Sequence, residues 1–173
     1  GARGDDLEDL SEVKSCSRVD QSDKCNKCGQ NVLRSQNKCP HCGSEDIKRN
    51  NDSKWLIGIR SDDELDMYLT KIPRMVFLIS DYPEFEIMNF NKIQFTAYEI
   101  WNQSDRARRF REVLINYYEN IYKKKKKMGA ASSIAPLNFW PYNFQFYMCN
   151  PIKVFHASID YTLPREKAIK IDY

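Results

Sequence analysis

Four cysteines, spaced Cys25-x2-Cys28-x10-Cys39-x2-Cys42, can close around one metal ion. A C-x-x-C knuckle turns tightly enough to bring two thiolates to the same ion, and Gly29 and Gly43, directly after the pairs, supply the backbone freedom that the turn demands. Two knuckles give a closed set of four thiolates with no open position, so the expected ion is a structural zinc; His41 is not needed as a ligand. A different chemistry is carried by Asp5-Asp6-Leu7-Glu8-Asp9-Leu10-Ser11-Glu12-Val13-Lys14. On a strand, Glu12 and Lys14 lie two apart and share a face. A carboxylate from Asp5 or Asp6 can return to that face through a tight hairpin, whereas Asp9 stands too close to Glu12 to do so. Two converging carboxylates suit a hard divalent cation, here expected to be Mg2+, which keeps several of its waters. With a lysine to offset developing negative charge, such a set can hydrolyse a phosphodiester.

Composition bounds these readings. The chain has 173 residues, 42% hydrophobic and 29% charged, a globular balance with enough length for one core and a small appendage. No apolar run approaches the roughly 18–20 residues that span a bilayer, and no signal peptide opens the sequence, so a soluble, cytoplasmic protein in a reducing compartment is expected. That argues against a disulfide framework; the two remaining cysteines, Cys16 and Cys149, fall on apolar, strand-like segments. Net charge is only +3, but it is unevenly spread. Asp5, Asp6, Glu8, Asp9 and Glu12 crowd the start, while Arg106, Arg108, Arg109, Arg111 and Lys123 to Lys127 form a basic stripe. An acidic knot and a basic stripe in one small protein suit a metal-dependent enzyme acting on a polyanion.

The elements that must position these residues are legible from patterning. Residues 10–16 alternate as a strand does, and Trp55 to Ile59 is a second candidate. Ser61 caps a helix over 62–71, with Glu64 completing a capping box and Pro73 stopping it. Met75 to Ser80 reads as a buried central strand. Phe85–Phe90 and Ile93–Trp101 are further strand candidates. Ser104 caps a helix whose apolar face carries Ala107, Phe110, Val113, Leu114, Tyr117, Tyr118 and Ile121. Gly129 to Ser133 reads as a loop, and segments 139–149 and 152–159 as strands. The expected fold is α/β, a mixed central sheet flanked by helices, with residues 1–23 and 44–173 forming one domain and 24–43 an inserted zinc ribbon. The sequence starts almost on top of its first strand, so either an N-terminal part has been removed or another element covers that edge. Trp55, Trp101 and Trp140 are expected in the core, and His156 is read as a satisfied core or edge histidine.

The order Asp, short gap, Glu-x-Lys resembles the PD-(D/E)xK nuclease superfamily, and the short gap looks like that of the mismatch-repair nicking endonuclease and its restriction-enzyme relatives. The helix, the strand Met75–Ser80 and then Ile93–Trp101 extend the similarity over residues 3–120, toward type II restriction endonucleases of the MamI type. The resemblance implies that Asp5 or Asp6 is the first metal ligand, Glu12 the second and Lys14 the catalytic lysine. It further implies double-stranded DNA as substrate and a homodimer with two symmetric sites. No proline precedes the aspartates, and the ribbon interrupts the core after the motif strand, both departures from the pattern. Arg106, Arg109, Lys123 and Lys124 are candidate phosphate contacts, and Asn143 and Gln145 candidates for base edges. The rival reading is a non-catalytic zinc-ribbon module that binds nucleic acid, such as a transcription or repair factor; a third is a scaffold for protein contacts.

Overall fold

The Glu-x-Lys segment forms β1 (Glu12–Ser17), and three short strands follow it: β2 (Asp23–Cys25), β3 (Asn31–Val32) and β4 (Ile47–Lys48). These observations come from a computed structural model that describes residues 6–17, 23–33, 35–49, 53–87, 89–129, 134–141 and 143–172; Asp5 lies outside them. Next come β5 (Trp55–Ile57) and α1 (Asp62–Asp66), which continues through a π-helical turn at Met67–Lys71. Then β6 (Arg74–Asp81) and β7 (Lys92–Trp101) precede α2 (Arg108–Asn116), a second π turn at Tyr117–Tyr122, and α3 (Lys123–Lys127). The chain finishes with β8 (Leu137–Phe139), α4 (Phe144–Met148), β9 (Ile152–Asp160), α5 (Arg165–Ala168) and β10 (Ile169–Ile171). Five strands form a central sheet of order β1-β6-β7-β9-β10, and helices flank it. Among the described residues, no helix is long and apolar enough to cross a membrane.

Two compact units divide the chain, and the division cuts along the central strands. The first comprises Gly1–Ser15, Lys54–Leu78 and Ala97–Val154. Its core is aromatic: Trp55 lies 4.9 Å, centroid to centroid, from both Phe77 and Phe146, and Phe110 and Phe139 are fully buried with them. The Trp55 indole N–H donates to the Leu78 carbonyl at 3.0 Å, so its one polar atom is satisfied inside the core. β5 and β8 pair antiparallel, with Trp55 opposite Phe139. The second unit holds Cys16–Ser53, Ile79–Thr96 and Phe155–Tyr173. In it β3-β2-β4 form a small sheet, and β10 pairs antiparallel with β9, Ile171 opposite Ala157.

Several expectations change here. Residues 85–90 are not a strand: Phe85–Ile87 form a single 3-10 turn. The stretch 139–149 is split, because Asn143 caps α4 by accepting the Gln145 N–H at 2.8 Å, and Cys149 becomes the C-cap of that helix rather than a strand residue. Aromatic richness mimicked a strand there; the asparagine cap decided otherwise. Ile121 is 39% exposed while Tyr122 is buried, since the π turn inserts an extra residue and rotates the apolar face by one position. Ser104 stands at its helix start, but its hydroxyl donates to the Trp101 carbonyl instead of capping. Trp101 is exposed, stacked beneath the Arg74 guanidinium at 5.1 Å. His156 does sit satisfied, 2.9 Å from the Thr96 hydroxyl.

Candidate metal and active site

Between Glu12 and the hairpin before it, the chain turns back on itself. Asp6 and Leu7 both donate backbone N–H groups to the Ser11 carbonyl at 3.2 Å, and Leu10 takes a positive φ of 66° to make the turn. The turn brings the Asp6 carboxylate, through Oδ2, 2.9 Å from the Val13 N–H, at the start of β1. Asp9, as its spacing implied, points elsewhere. It accepts from the Ser11 N–H at 3.1 Å and pairs with Arg74 at 2.7 Å. Glu12 and Lys14 share one face of β1 and form an ion pair with each other.

Asp6, Glu12, Val13 and Lys14 line one cavity of about 780 Å3. Its other walls come from Arg60, Ser61, Asp63, Glu64, Met67 and Tyr68 of α1 and its flanks, with Leu56, Gly58 and Pro136. Helix α1 starts as the sequence implied: the Ser61 hydroxyl accepts the Glu64 N–H at 3.1 Å, and the Glu64 carboxylate reaches back to the Arg60 N–H at 2.6 Å. Sequence reasoning read Glu64 only as part of this cap and overlooked Tyr68 altogether. The available signal was the run Asp62-Asp63-Glu64 at the helix start, with Tyr68 one turn beyond Glu64. Tyr68 is 4% exposed, and its carbonyl accepts from the buried Asn102 amide at 2.8 Å. Burial first, then the charges of Glu12, Glu64 and Asp6, push its phenol above the ordinary tyrosine value. Asp6, Glu12, Asp63 and Glu64 place four acidic residues in the wall of this cavity.

The cysteines form a second, separate centre. Their sulfur atoms all lie within 4.8 Å of one another, with Cys25–Cys42 and Cys28–Cys39 each at 3.6 Å. Four thiolates at about 2.3 Å from a common tetrahedral centre would stand about 3.8 Å apart, so the set is close to the geometry of a zinc ribbon. The two knuckles repeat one pattern: Gly29 N–H donates to the Cys25 carbonyl at 2.8 Å and Gly43 N–H to the Cys39 carbonyl at 2.9 Å. Both glycines sit at positive φ, 73° and 71°, as inferred. At Cys25 burial opposes ionisation, but the N–H groups of Cys28 and Lys27 outweigh it and bring the thiol down to about 6. The Cys42 N–H likewise lowers Cys39. At Cys28 the Gln30 N–H favours the thiolate, yet burial and the neighbouring cysteines push it up to about 12. Among the described residues, only these four gather metal-binding atoms so closely.

The basic residues are scattered over the first unit. Arg106 donates to the Asn150 carbonyl at 2.8 Å and Arg109 pairs with Glu112 at 3.1 Å. Lys123 bridges Glu119 at 2.7 Å and Asp62, in the first turn of α1, at 3.3 Å. Lys124 follows on α3, which is helical through the lysine run. Arg109 and Gln145 line a second cavity of about 380 Å3, together with Glu112, Asn116 and Tyr117.

A fold of this class, with a Glu-x-Lys strand and an acidic hairpin at one cavity, matches what a DNA-cutting enzyme requires. The family model of MamI restriction endonuclease matches residues 1–173, and the chain belongs to that family. It is a restriction endonuclease, whose substrate is DNA and whose family implies a divalent metal. No curated protein and no solved structure matches the chain.

Proposed function

We propose that the cavity walled by Asp6, Glu12 and Lys14 is the active site of a Mg2+-dependent type II endonuclease that hydrolyses phosphodiester bonds of double-stranded DNA. One observation carries this reading: a hairpin returns the Asp6 carboxylate to the strand that holds Glu12 and Lys14, and all three line the same cavity. Asp6 and Glu12 would hold the cation, with Glu64 within the same wall; Asp5 remains a candidate for the first carboxylate. A cation bound there polarises the phosphoryl oxygens and lowers the pKa of an attacking water. Lys14, held beside Glu12, offsets the charge that builds on the phosphate as water adds to phosphorus and the P–O bond to the leaving oxygen breaks. The products are a phosphomonoester end and a hydroxyl end.

Around this centre, Arg106, Arg109, Lys123 and Lys124 contact backbone phosphates, and Asn143 and Gln145, near the start of α4, reach base edges. Cys25, Cys28, Cys39 and Cys42 hold a structural zinc in a ribbon inserted into the nuclease domain. The protein acts as a cytoplasmic homodimer, whose two-fold axis presents one active site to each DNA strand. Plasmid digestion with Mg2+ tests the reading. Glu12→Ala and Lys14→Ala should each slow cleavage by at least roughly a hundredfold, while binding of the same DNA without metal persists. Of Asp5→Ala and Asp6→Ala, one should match Glu12→Ala and the other should be mild. Cleavage by Glu12→Ala as fast as by the parent would end this proposal.

A further inference from the structure

The Tyr68 side chain is the least expected wall of the cavity. It is 4% exposed, it lies on the π turn that extends α1, and its backbone is fixed by the Asn102 amide at 2.8 Å. Among the described residues, nothing hydrogen-bonds its hydroxyl. Its oxygen is nonetheless not sealed off: among the described residues Asn102 Oδ1 is the buried side-chain polar atom without a partner, so the Tyr68 hydroxyl opens into the cavity that the residue lines. Of the other cationic groups in the cavity wall, the Lys14 ammonium is paired with Glu12, and Arg60 lies in the same lining. A phosphate entering this acidic pocket needs donors of its own.

We propose that Tyr68 is a catalytic residue, whose phenol donates a hydrogen bond to a non-bridging oxygen of the scissile phosphate. The contact strengthens as negative charge builds on that oxygen, so it acts on the transition state more than on bound DNA. A tyrosine phenol is protonated at neutral pH and is therefore a hydrogen-bond donor there. This inference rests on the active-site reading above and adds to it a group outside the Asp, Glu-x-Lys set.

The test is Tyr68→Phe, which keeps the ring and removes only the hydroxyl. Three quantities are compared with the parent: single-turnover cleavage of a supercoiled plasmid with Mg2+, binding of a duplex cut from that plasmid without metal, and the thermal midpoint. The expected result is cleavage slower by roughly tenfold to several hundredfold, with binding and midpoint unchanged. Because the hydroxyl has no protein partner among the described residues, its loss should not lower the midpoint. Cleavage at the parental rate overturns the proposal, and so does a fall in midpoint or binding that accounts for the lost rate. If the parent cleaves and Glu12→Ala does not, a fast Tyr68→Phe refutes only this inference. If the parent itself cuts nothing, with Mg2+ or Mn2+, the active-site reading fails and this one falls with it.

Discussion

One guanidinium, that of Arg74, meets three acceptors on two parts of the chain, the hairpin before β1 and strand β7. It reaches the Asp9 carboxylate at 2.7 Å, the Ser11 hydroxyl at 3.0 Å and the Glu99 carboxylate at 2.7 Å, with the Trp101 ring stacked on it. Asp9 and Ser11 belong to the hairpin that delivers Asp6, so Arg74 fixes that hairpin against β6 and β7. The Ser11 hydroxyl, reinforced by Arg74, holds the Asp9 carboxyl below its usual value. With the folded value lowered, the interaction is intact above the ordinary carboxylate range and disappears as pH falls through the lowered value. Arg74→Ala should lower stability by about 1–2 kcal/mol and slow cleavage, while Arg74→Lys should restore only part, since an ammonium lacks the planar fork. Urea midpoints and plasmid cleavage check this; an Arg74→Ala protein matching the parent in both would refute it. That Glu12 and Lys14 share a strand face and that an aspartate at 5 or 6 can fold back to it was legible in the sequence, because strand periodicity and a short hairpin act locally; the choice between Asp5 and Asp6 was not. Glu64 and Tyr68 were not, because they reach the same cavity from a helix that follows the whole ribbon, and no local pattern encodes proximity at that separation.

At the scale of elements, the outcome followed the same line between local and distant causes. The capping box gave α1 its start, and the Gly that follows each C-x-x-C gave the knuckles their turns. Two features escaped. π turns leave no simple mark in an apolar periodicity, and the aromatic run at 144–148 carries strand formers, yet folds as a helix because Asn143 caps it. The ribbon has almost no core of its own: Cys25, Val32 and Cys39 are its buried hydrophobics, so metal must supply what packing does not. One zinc per chain is expected by elemental analysis, and Cys39→Ser should lose it. Amide exchange in 24–43 should then accelerate strongly, while the aromatic core around Trp55 keeps its protection. Full zinc content in Cys39→Ser would refute the assignment.

Over the whole molecule, a net charge of +3 hides a separation of sign: carboxylates around the cavity and lysines along α3. The Lys123–Asp62 pair brings the start of that basic helix to the first turn of α1, whose next residues, Asp63 and Glu64, line the cavity. On the proposed reading, the helix would draw a polyanion toward a cavity whose acids would hold a cation against its phosphate. Affinity for DNA should fall steeply as salt rises. Arg106→Ala, Arg109→Ala and Lys124→Ala should each reduce the log–log slope by about 1, because each neutralises one phosphate fewer. These changes should weaken binding equally across sequences. Binding that ignores salt, or a weakening confined to one base sequence, would contradict it. The distribution of charge could be read from the sequence; its arrangement around α1 could not, since it depends on how two helices far apart in the chain meet.

The ribbon enters and leaves through neighbouring strands, Lys24 opposite Lys48 in an antiparallel ladder. Such a segment is a detour that returns to where it left. While it is open, it lies as a long slack loop between β1 and β5, and slack raises the entropic cost of every contact made across it. If metal closes it, as the four-cysteine cluster suggests, the effective separation along the chain shrinks, and β1 meets its neighbour β6 over a shorter path. A metal that never touches the substrate would thereby ease the docking of the strand that carries Glu12 and Lys14.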